Sequence, residues 1–215
     1  MPASLRTKAV EIPAFIPPVI SANSEGRIPE ALSKFLEKDT FKLLINGFVI
    51  CNDRFYDLYG LRDAIILLER LKEKGKKADL VIIILGPPDN NESRKYLNSL
   101  KEYSMTKNLD GNVFWVENTV MELWPVLKKV HVFLRPTKSD GDALSIRESL
   151  WLKKPVLASG VVPRPEGTVI YNMNSENEFI DKTLSVIDNY NYYVESIGNY
   201  STSFAPKIIR QYEYL

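Results

Sequence analysis

From Phe41 onward, short continuous apolar runs alternate along the chain with stretches of helical period. Leu43 to Ile50 reads as a buried strand with Gly47 near its end. Residues 61–74 set Leu61, Ala64, Ile65, Leu68 and Leu71 at helical spacing, and Gly75 is placed to take the left-handed position after that helix. The alternation then repeats. A strand Leu80–Leu85 and a turn Gly86-Pro87-Pro88-Asp89 lead into a helix Glu92–Tyr103 with Tyr96, Leu97, Leu100 and Tyr103 inward. After a strand Val113–Val116, the capping-box spacing Thr119-x-x-Glu122 predicts a helix through Leu127, kinked at Pro125. Val130–Leu134 is the next strand and about Ser145–Leu152 the next helix. Two short strands, Pro155–Ala158 and Thr168–Tyr171, precede a helix capped by Ser175-x-x-Glu178 and carrying Phe179, Ile180, Thr183, Leu184 and Ile187.

Strands alternating with helices at this spacing predict an α/β fold: a doubly wound, Rossmann-like parallel sheet of about six strands with helices on both faces. The unbroken Val/Ile/Leu character of the strands agrees, because a parallel strand buries both its sides. Residues 1–40 read as a connector, extended around Pro13, Pro17 and Pro18. Within it, a short amphipathic segment Pro29–Leu36 puts Ala31, Leu32, Phe35 and Leu36 on one face and reads as a junction. The domain itself is assigned to 41–189. The tail 190–215, rich in tyrosine (Tyr190, Tyr192, Tyr193, Tyr200, Tyr212, Tyr214), is expected to be helical and to pack on another surface.

Composition narrows the chemistry. The chain has 215 residues, enough to bury a core without staples, and its net charge of +1 offers no general attraction to nucleic acid or anionic lipid. The one cysteine, Cys51, excludes an internal disulfide. The one histidine, His131, lies inside a predicted strand, where a packed role is expected, so a Cys/His zinc site and a histidine-based triad both lack their parts. Lys72, Lys74, Lys76 and Lys77 read as solvated cations on the negative end of a helix dipole. No run approaches the roughly 18 apolar residues of a membrane span, and Glu11, Pro13, Pro17 and Pro18 break any signal-peptide core. A cytoplasmic location is expected.

In a doubly wound sheet, ligands bind outside the carboxyl ends of the strands, near the point where strand order reverses. Neither G-x-G-x-x-G after a strand nor G-x-x-x-x-G-K-[ST] is present, which sets aside dinucleotide dehydrogenases and P-loop ATPases. The loop after Phe133-Leu134 stands out: Arg135-Pro136-Thr137-Lys138-Ser139-Asp140-Gly141-Asp142-Ala143-Leu144-Ser145-Ile146-Arg147-Glu148. Ser145 opens a helix whose free N–H groups favour an anion. Gly141 permits close backbone approach, Arg135 and Arg147 offer guanidinium forks to phosphate, and Asp140 and Glu148 can accept from sugar hydroxyls. Phosphate donors beside hydroxyl acceptors suggest a nucleotide-sugar ligand. Plainer readings stand beside this one. Ser145-x-x-Glu148 is also a capping box. Asp140-Gly141-Asp142 is also a turn, too short for a calcium loop. Pro163-Arg164-Pro165-Glu166-Gly167 reads as turn chemistry.

Asp140 to Glu148, followed by Lys154-Pro155-Val156-Leu157-Ala158-Ser159, resembles the donor-binding, C-terminal half of retaining GT-B glycosyltransferases of the GT4 type (glycosyl transferases group 1). That family places two glutamates eight positions apart before a similar strand; here the spacing is kept and Asp140 replaces the first Glu. The resemblance follows the element order from about Phe41 to Ile187 and is specific between Val130 and Tyr171. It implies one half of a GT-B fold, with Glu148 holding ribose hydroxyls and Asp140 near the transferred sugar. It also implies that Ala143, Leu144 and Ser145 offer amides to the distal phosphate or sugar, with Gly141, Asp142 and Arg147 in the same loop, and that Gly47 lies close to the donor. No metal and no cofactor besides the nucleotide-diphosphate sugar is implied.

The family's Arg after the first-strand glycine and Lys before the next helix are absent: Phe48-Val49 and Tyr59-Gly60 stand there. Arg54, Arg62 and Arg135 are the candidates to replace them, and Arg135 is preferred because it adjoins the carboxylate loop. The implied partners are a nucleotide sugar, an N-terminal acceptor-binding domain or separate subunit, and a glycan or lipid-linked acceptor, which would put the protein at the cytoplasmic membrane face. Transfer is expected to need the acceptor half. Two alternatives are a non-catalytic nucleotide- or protein-binding module of the same fold and a nucleotide-sugar epimerase.

Overall fold

The computed structural model describes residues 12–20, 28–49, 56–88, 90–117, 122–198 and 204–213. Glu11, Ile50, Cys51, Arg54, Asp89, Thr119, Tyr200 and Tyr214, all singled out above, lie outside them. The described elements run α1 (Glu30–Leu36), β1 (Phe41–Gly47), α2 (Leu61–Glu73), β2 (Ala78–Ile84), α3 (Asn91–Thr106), β3 (Val113–Val116), α4 (Trp124–Lys129), β4 (Val132–Arg135), α5 (Leu144–Trp151), β5 (Val156–Ser159), β6 (Thr168–Tyr171), α6 (Glu176–Asp188), α7 (Tyr190–Ser196) and α8 (Ala205–Glu213).

All six strands are parallel, in the order β3-β2-β1-β4-β5-β6. Strand order therefore reverses between β1 and β4, where Leu43, Leu44 and Ile45 pair with Val132, Phe133 and Leu134. Alternate strand residues feed two separate cores. Leu43 and Ile45, with Leu80, Ile82 and Ile84, meet α2, α3 and α6 on one face. Leu44, Val81, Ile83, Phe133, Val156 and Ala158 meet α1, α4 and α5 on the other. Each such fully buried Leu, Ile or Phe contributes about 1.5–3 kcal/mol. The doubly wound fold expected from the apolar pattern is the fold observed.

Helix ends follow local chemistry. Gly75 ends α2 at φ +73°, its N–H on the Lys72 carbonyl at 2.9 Å. The side chains of Asn90 and Ser175 cap α3 and α6, accepting from the N–H groups of Ser93 and Glu178. α4 departs from the expected helix. It begins at Trp124, and Pro125 sits in its first turn, where a missing N–H costs nothing, so it makes no kink. Segment Pro29–Leu36, read as a junction, seats Leu32, Phe35 and Leu36 in the second core while Ala31 stays exposed.

His131 precedes β4, at the amino ends of the strands. Its ring stacks on Phe41 at 4.5 Å and meets Tyr190 edge-on, and its Nδ1 accepts the Lys42 N–H at 2.9 Å. Nearby, the buried Lys42 ammonium lies 3.4 Å from the Asp79 carboxylate, which also accepts from Asn112. This polar cluster pins the bottom of the sheet and faces away from the carboxyl ends. Among the described residues no helix is long and apolar enough to cross a membrane.

Candidate functional site

Two crossovers leave the carboxyl ends of β1 and β4 beside the switch point, and they are joined to each other. Lys138 N–H donates to the Leu58 carbonyl at 2.8 Å, the Thr137 hydroxyl lies 2.9 Å from the same oxygen, and the Lys138 ammonium donates to the Tyr56 carbonyl. Gly60, at φ +68°, lies so close to Pro136 that a Cβ there would come within 2.3 Å of the Pro136 oxygen. Only glycine fits both the left-handed backbone and this approach. Ser159, at the end of β5, extends the joint by donating to the Thr137 carbonyl at 2.6 Å.

The described end of the first crossover, 56–60, is filled by its own side chains. Both carboxylate oxygens of Asp57 accept amides at the start of α2, Leu61 N–H and Arg62 N–H, each at 2.9 Å. Asp57 is buried and has φ +57°. It thus occupies the anion-favouring end of α2 from within the chain. Tyr59 covers Gly47: a Cβ on that glycine would fall 2.5 Å from the Tyr59 ring. Arg62 lies over the Tyr103 ring at 5.7 Å, directed toward α3.

The Tyr59 ring supports the next layer. The Arg135 guanidinium lies 5.0 Å from its centroid and grips Asp140 through two bonds, Nε to Oδ2 at 3.0 Å and Nη2 to Oδ1 at 2.8 Å. Arg164, from the β5–β6 loop, donates Nη1 to the same Oδ2 at 2.7 Å and Nε to the Ser159 carbonyl at 3.0 Å. Burial pushes the Asp140 carboxyl up, but the bonds from the two arginines outweigh it and hold the group below its ordinary value. Gly47, Tyr59, Arg135, Asp140 and Arg164 form one continuous column across the switch point.

The loop opens into α5 without a side-chain cap. Ala143 occupies the N-cap position and Ser145 is the second helical residue. The expected Ser145–Glu148 capping box does not form. Glu148 instead turns toward α4, where its carboxylate faces the Trp124 backbone N–H. Burial pushes this carboxyl up to about 7; the neighbouring charge of Glu122 adds to the rise and the Trp124 N–H opposes it. Asp140 and Glu148 therefore flank the start of α5 without sharing a partner. Gly141, Asp142, Leu144 and Arg147 line a cleft of about 630 Å³ together with Arg164, Val162, Pro163 and Pro165 and with Ile12–Ala14 of the connector. Arg147 is held there by Asp142 at 2.7 Å and lies over Phe204.

Three residues of this site were not singled out for it in the sequence. Arg164 was read as part of a turn, although loops after parallel strands are where ligands are met. Asp57 lies three positions before the N-cap Gly60, outside the place where local spacing signals a cap. Asn46 lay within a strand; its Oδ1 is buried with no partner, and the register pairing Ile45 with Leu134 sets it beside Arg135 on the same face. A buried acceptor without a donor is uncommon.

No protein-family model matches the sequence, and no curated protein does. Among solved structures, the fold is similar to a glycosyltransferase from Rickettsia africae (TM-score 0.64, 13% identity), covering 88% of this chain and 52% of that one. It is also similar to a UDP-forming α,α-trehalose-phosphate synthase from Burkholderia xenovorans in complex with glucose-6-phosphate (TM-score 0.66, 15% identity, 84% and 43% covered). A third likeness is to the C-terminal domain of a glycosyl transferase group 1 family protein from Francisella tularensis (TM-score 0.64, 14% identity, 93% and 98% covered). The chain spans about half the length of the first two. The architecture is that of a Rossmann-like half of a GT-B fold.

Proposed function

We propose that this chain is the donor-binding half of a retaining, GT4-type glycosyltransferase. It would bind a nucleotide-diphosphate sugar and, once joined by an acceptor-binding half, pass a hexosyl group to a glycan or lipid-linked acceptor. The observation that carries this reading is the clamp of Asp140 between two arginines, in a crossover that ends on the uncapped start of α5 beside the switch point. Glu148 is assigned to the ribose hydroxyls, the Leu144 and Ser145 amides to phosphate or sugar oxygens, and Asp140 to the transferred sugar. Fixed cations and helix amides would offset the charge that builds on the leaving diphosphate, which is electrostatic preorganisation. No metal enters this scheme.

The test is calorimetric binding of a UDP-, GDP- and ADP-sugar panel to the folded chain. Binding of one member at up to millimolar concentration is expected; binding of none rejects the reading. With an acceptor half restored, Asp140→Asn should retain donor binding and lose transfer, and unchanged turnover would remove Asp140 from the chemistry.

A second reading, a module of the same fold without catalysis, draws on the first crossover. There Asp57 fills the start of α2 and Tyr59 covers Gly47, where the family carries cations. Nucleotide-sugar binding separates the two. An epimerase built on His131 draws no support, because that ring packs at the opposite ends of the strands.

A further inference from the structure

We infer that Arg164 and Arg135 are the pair of cations that receives the donor's diphosphate, and that Asp140 is an internal counter-ion which the diphosphate displaces. This rests on the donor-binding reading and adds to it a residue, Arg164, and an order of events.

The start of α2 already holds a carboxylate. Asp57 takes two α2 amides with its two oxygens and is 4% exposed, and its loop is tied down through Leu58 and Tyr56. With those amides taken, the second crossover offers the cations described here for an anion. Here two guanidiniums converge on a single oxygen, Asp140 Oδ2, at 3.0 and 2.7 Å. Two arginines facing one carboxylate leave an excess positive charge. Groups that share one oxygen are also close enough to grip one phosphate, and forked guanidiniums suit its oxygens. A diphosphate brings more charge and more acceptors than the carboxylate it replaces.

Asp140 and Arg164 differ in freedom. Asp140 sits on the turn after Ser139, and Gly141 beside it has open space where a Cβ would be. Arg164 is fixed by the Ser159 carbonyl, and its side chain is 1% exposed while bordering the 630 Å³ cleft. It becomes available to a ligand when Asp140 moves aside. Tyr59 holds Arg135 from the other side and takes the place of a cation at that position.

The experiment measures inorganic pyrophosphate binding to the wild-type chain, Asp140→Asn and Arg164→Gln. Removing the counter-ion should tighten pyrophosphate binding about tenfold or more, and Arg164→Gln should weaken it by a similar factor. Equal or weaker binding to folded Asp140→Asn overturns the inference. Should either variant fail to fold, the Arg135 and Arg164 Nε–H resonances of the wild-type protein are followed during the titration. Both should shift on saturation, and an unmoved Arg164 signal overturns the inference equally. The nucleotide-sugar panel is run in parallel on the same proteins. Tighter pyrophosphate binding with no nucleotide-sugar binding sustains the anion site and rejects the donor reading. Nucleotide-sugar binding that is unchanged by Asp140→Asn does the reverse.

Discussion

Glu148 on α5 faces the backbone N–H of Trp124 at the start of α4, so an ionisable group sits between two of the three helices of the second core. Its carboxyl lies at about 7, above the ordinary 4.5, so the folded chain holds a proton between these values that the unfolded chain has released. Stability must fall as pH rises from about 4.5 to about 7. Glu148→Gln, which keeps an oxygen for Trp124, should flatten that slope and raise stability at pH 8 by on the order of 2 kcal/mol. Urea unfolding at pH 5 and pH 8 reads the effect, and parallel losses in both proteins would reject it.

His131 behaves in the opposite sense. Burial, with the charges of Lys154 and Lys42, holds its imidazole below the usual 6.5. The unfolded chain therefore takes up a proton first, and stability is lost as pH falls from about 6.5 through the folded value. Because the chain has one histidine, a single ring resonance reports the titration. Its midpoint is expected below 6.5, and a midpoint above that value would contradict the Nδ1 bond to Lys42.

Gly47→Ala forces a methyl group against the Tyr59 ring. The expected cost is about 1–3 kcal/mol, the range for overpacking. In the Tyr59→Ala background most of that cost should vanish, giving a strongly non-additive cycle in thermal unfolding. Additive losses would mean that the ring is not what limits Gly47.

Asp57→Ala leaves the Leu61 and Arg62 amides without their acceptor. A loss of about 1–3 kcal/mol is expected from the cap and from the buried donors. Asp57→Asn, which retains one oxygen, should recover part of it in the same denaturation assay.

Arg135→Ala removes the bidentate partner of Asp140 and the cation over Tyr59. Donor diphosphate binding should weaken by about 1.5–3 kcal/mol, the scale of charged hydrogen bonds. Calorimetry with a nucleotide diphosphate measures it; an unchanged affinity would leave Arg135 a purely structural role.

The sheet was legible because its strands are continuous apolar runs bounded by Gly, Pro and Asp, and periodicity distinguishes these well from amphipathic helices such as α2. The carboxyl-end loop was legible too, since Arg135, Asp140 and Glu148 crowd polar chemistry into a short span after a strand. What stayed hidden depended on contacts distant in sequence. The partner of Glu148 is a backbone amide on α4, so local spacing pointed to Ser145 instead. Arg164 meets Asp140 across 24 positions, and its flanking prolines looked sufficient on their own. Tyr59 read as the loss of a cation; only packing revealed a ring that carries Arg135.

The joint between the β1 and β4 crossovers has a mechanical result. With Gly60 seated on Pro136, Thr137 and Lys138 tied to Leu58 and Tyr56, and Ser159 fastened behind them, the mouth of the sheet behaves as one stiff jaw. Compliance is left to the turn around Gly141. Amide exchange should therefore be slow at Gly60, Leu61 and Lys138, whose N–H groups are bonded, and fast from 139 to 142, so that ligand arrival is felt as the settling of a single small flap.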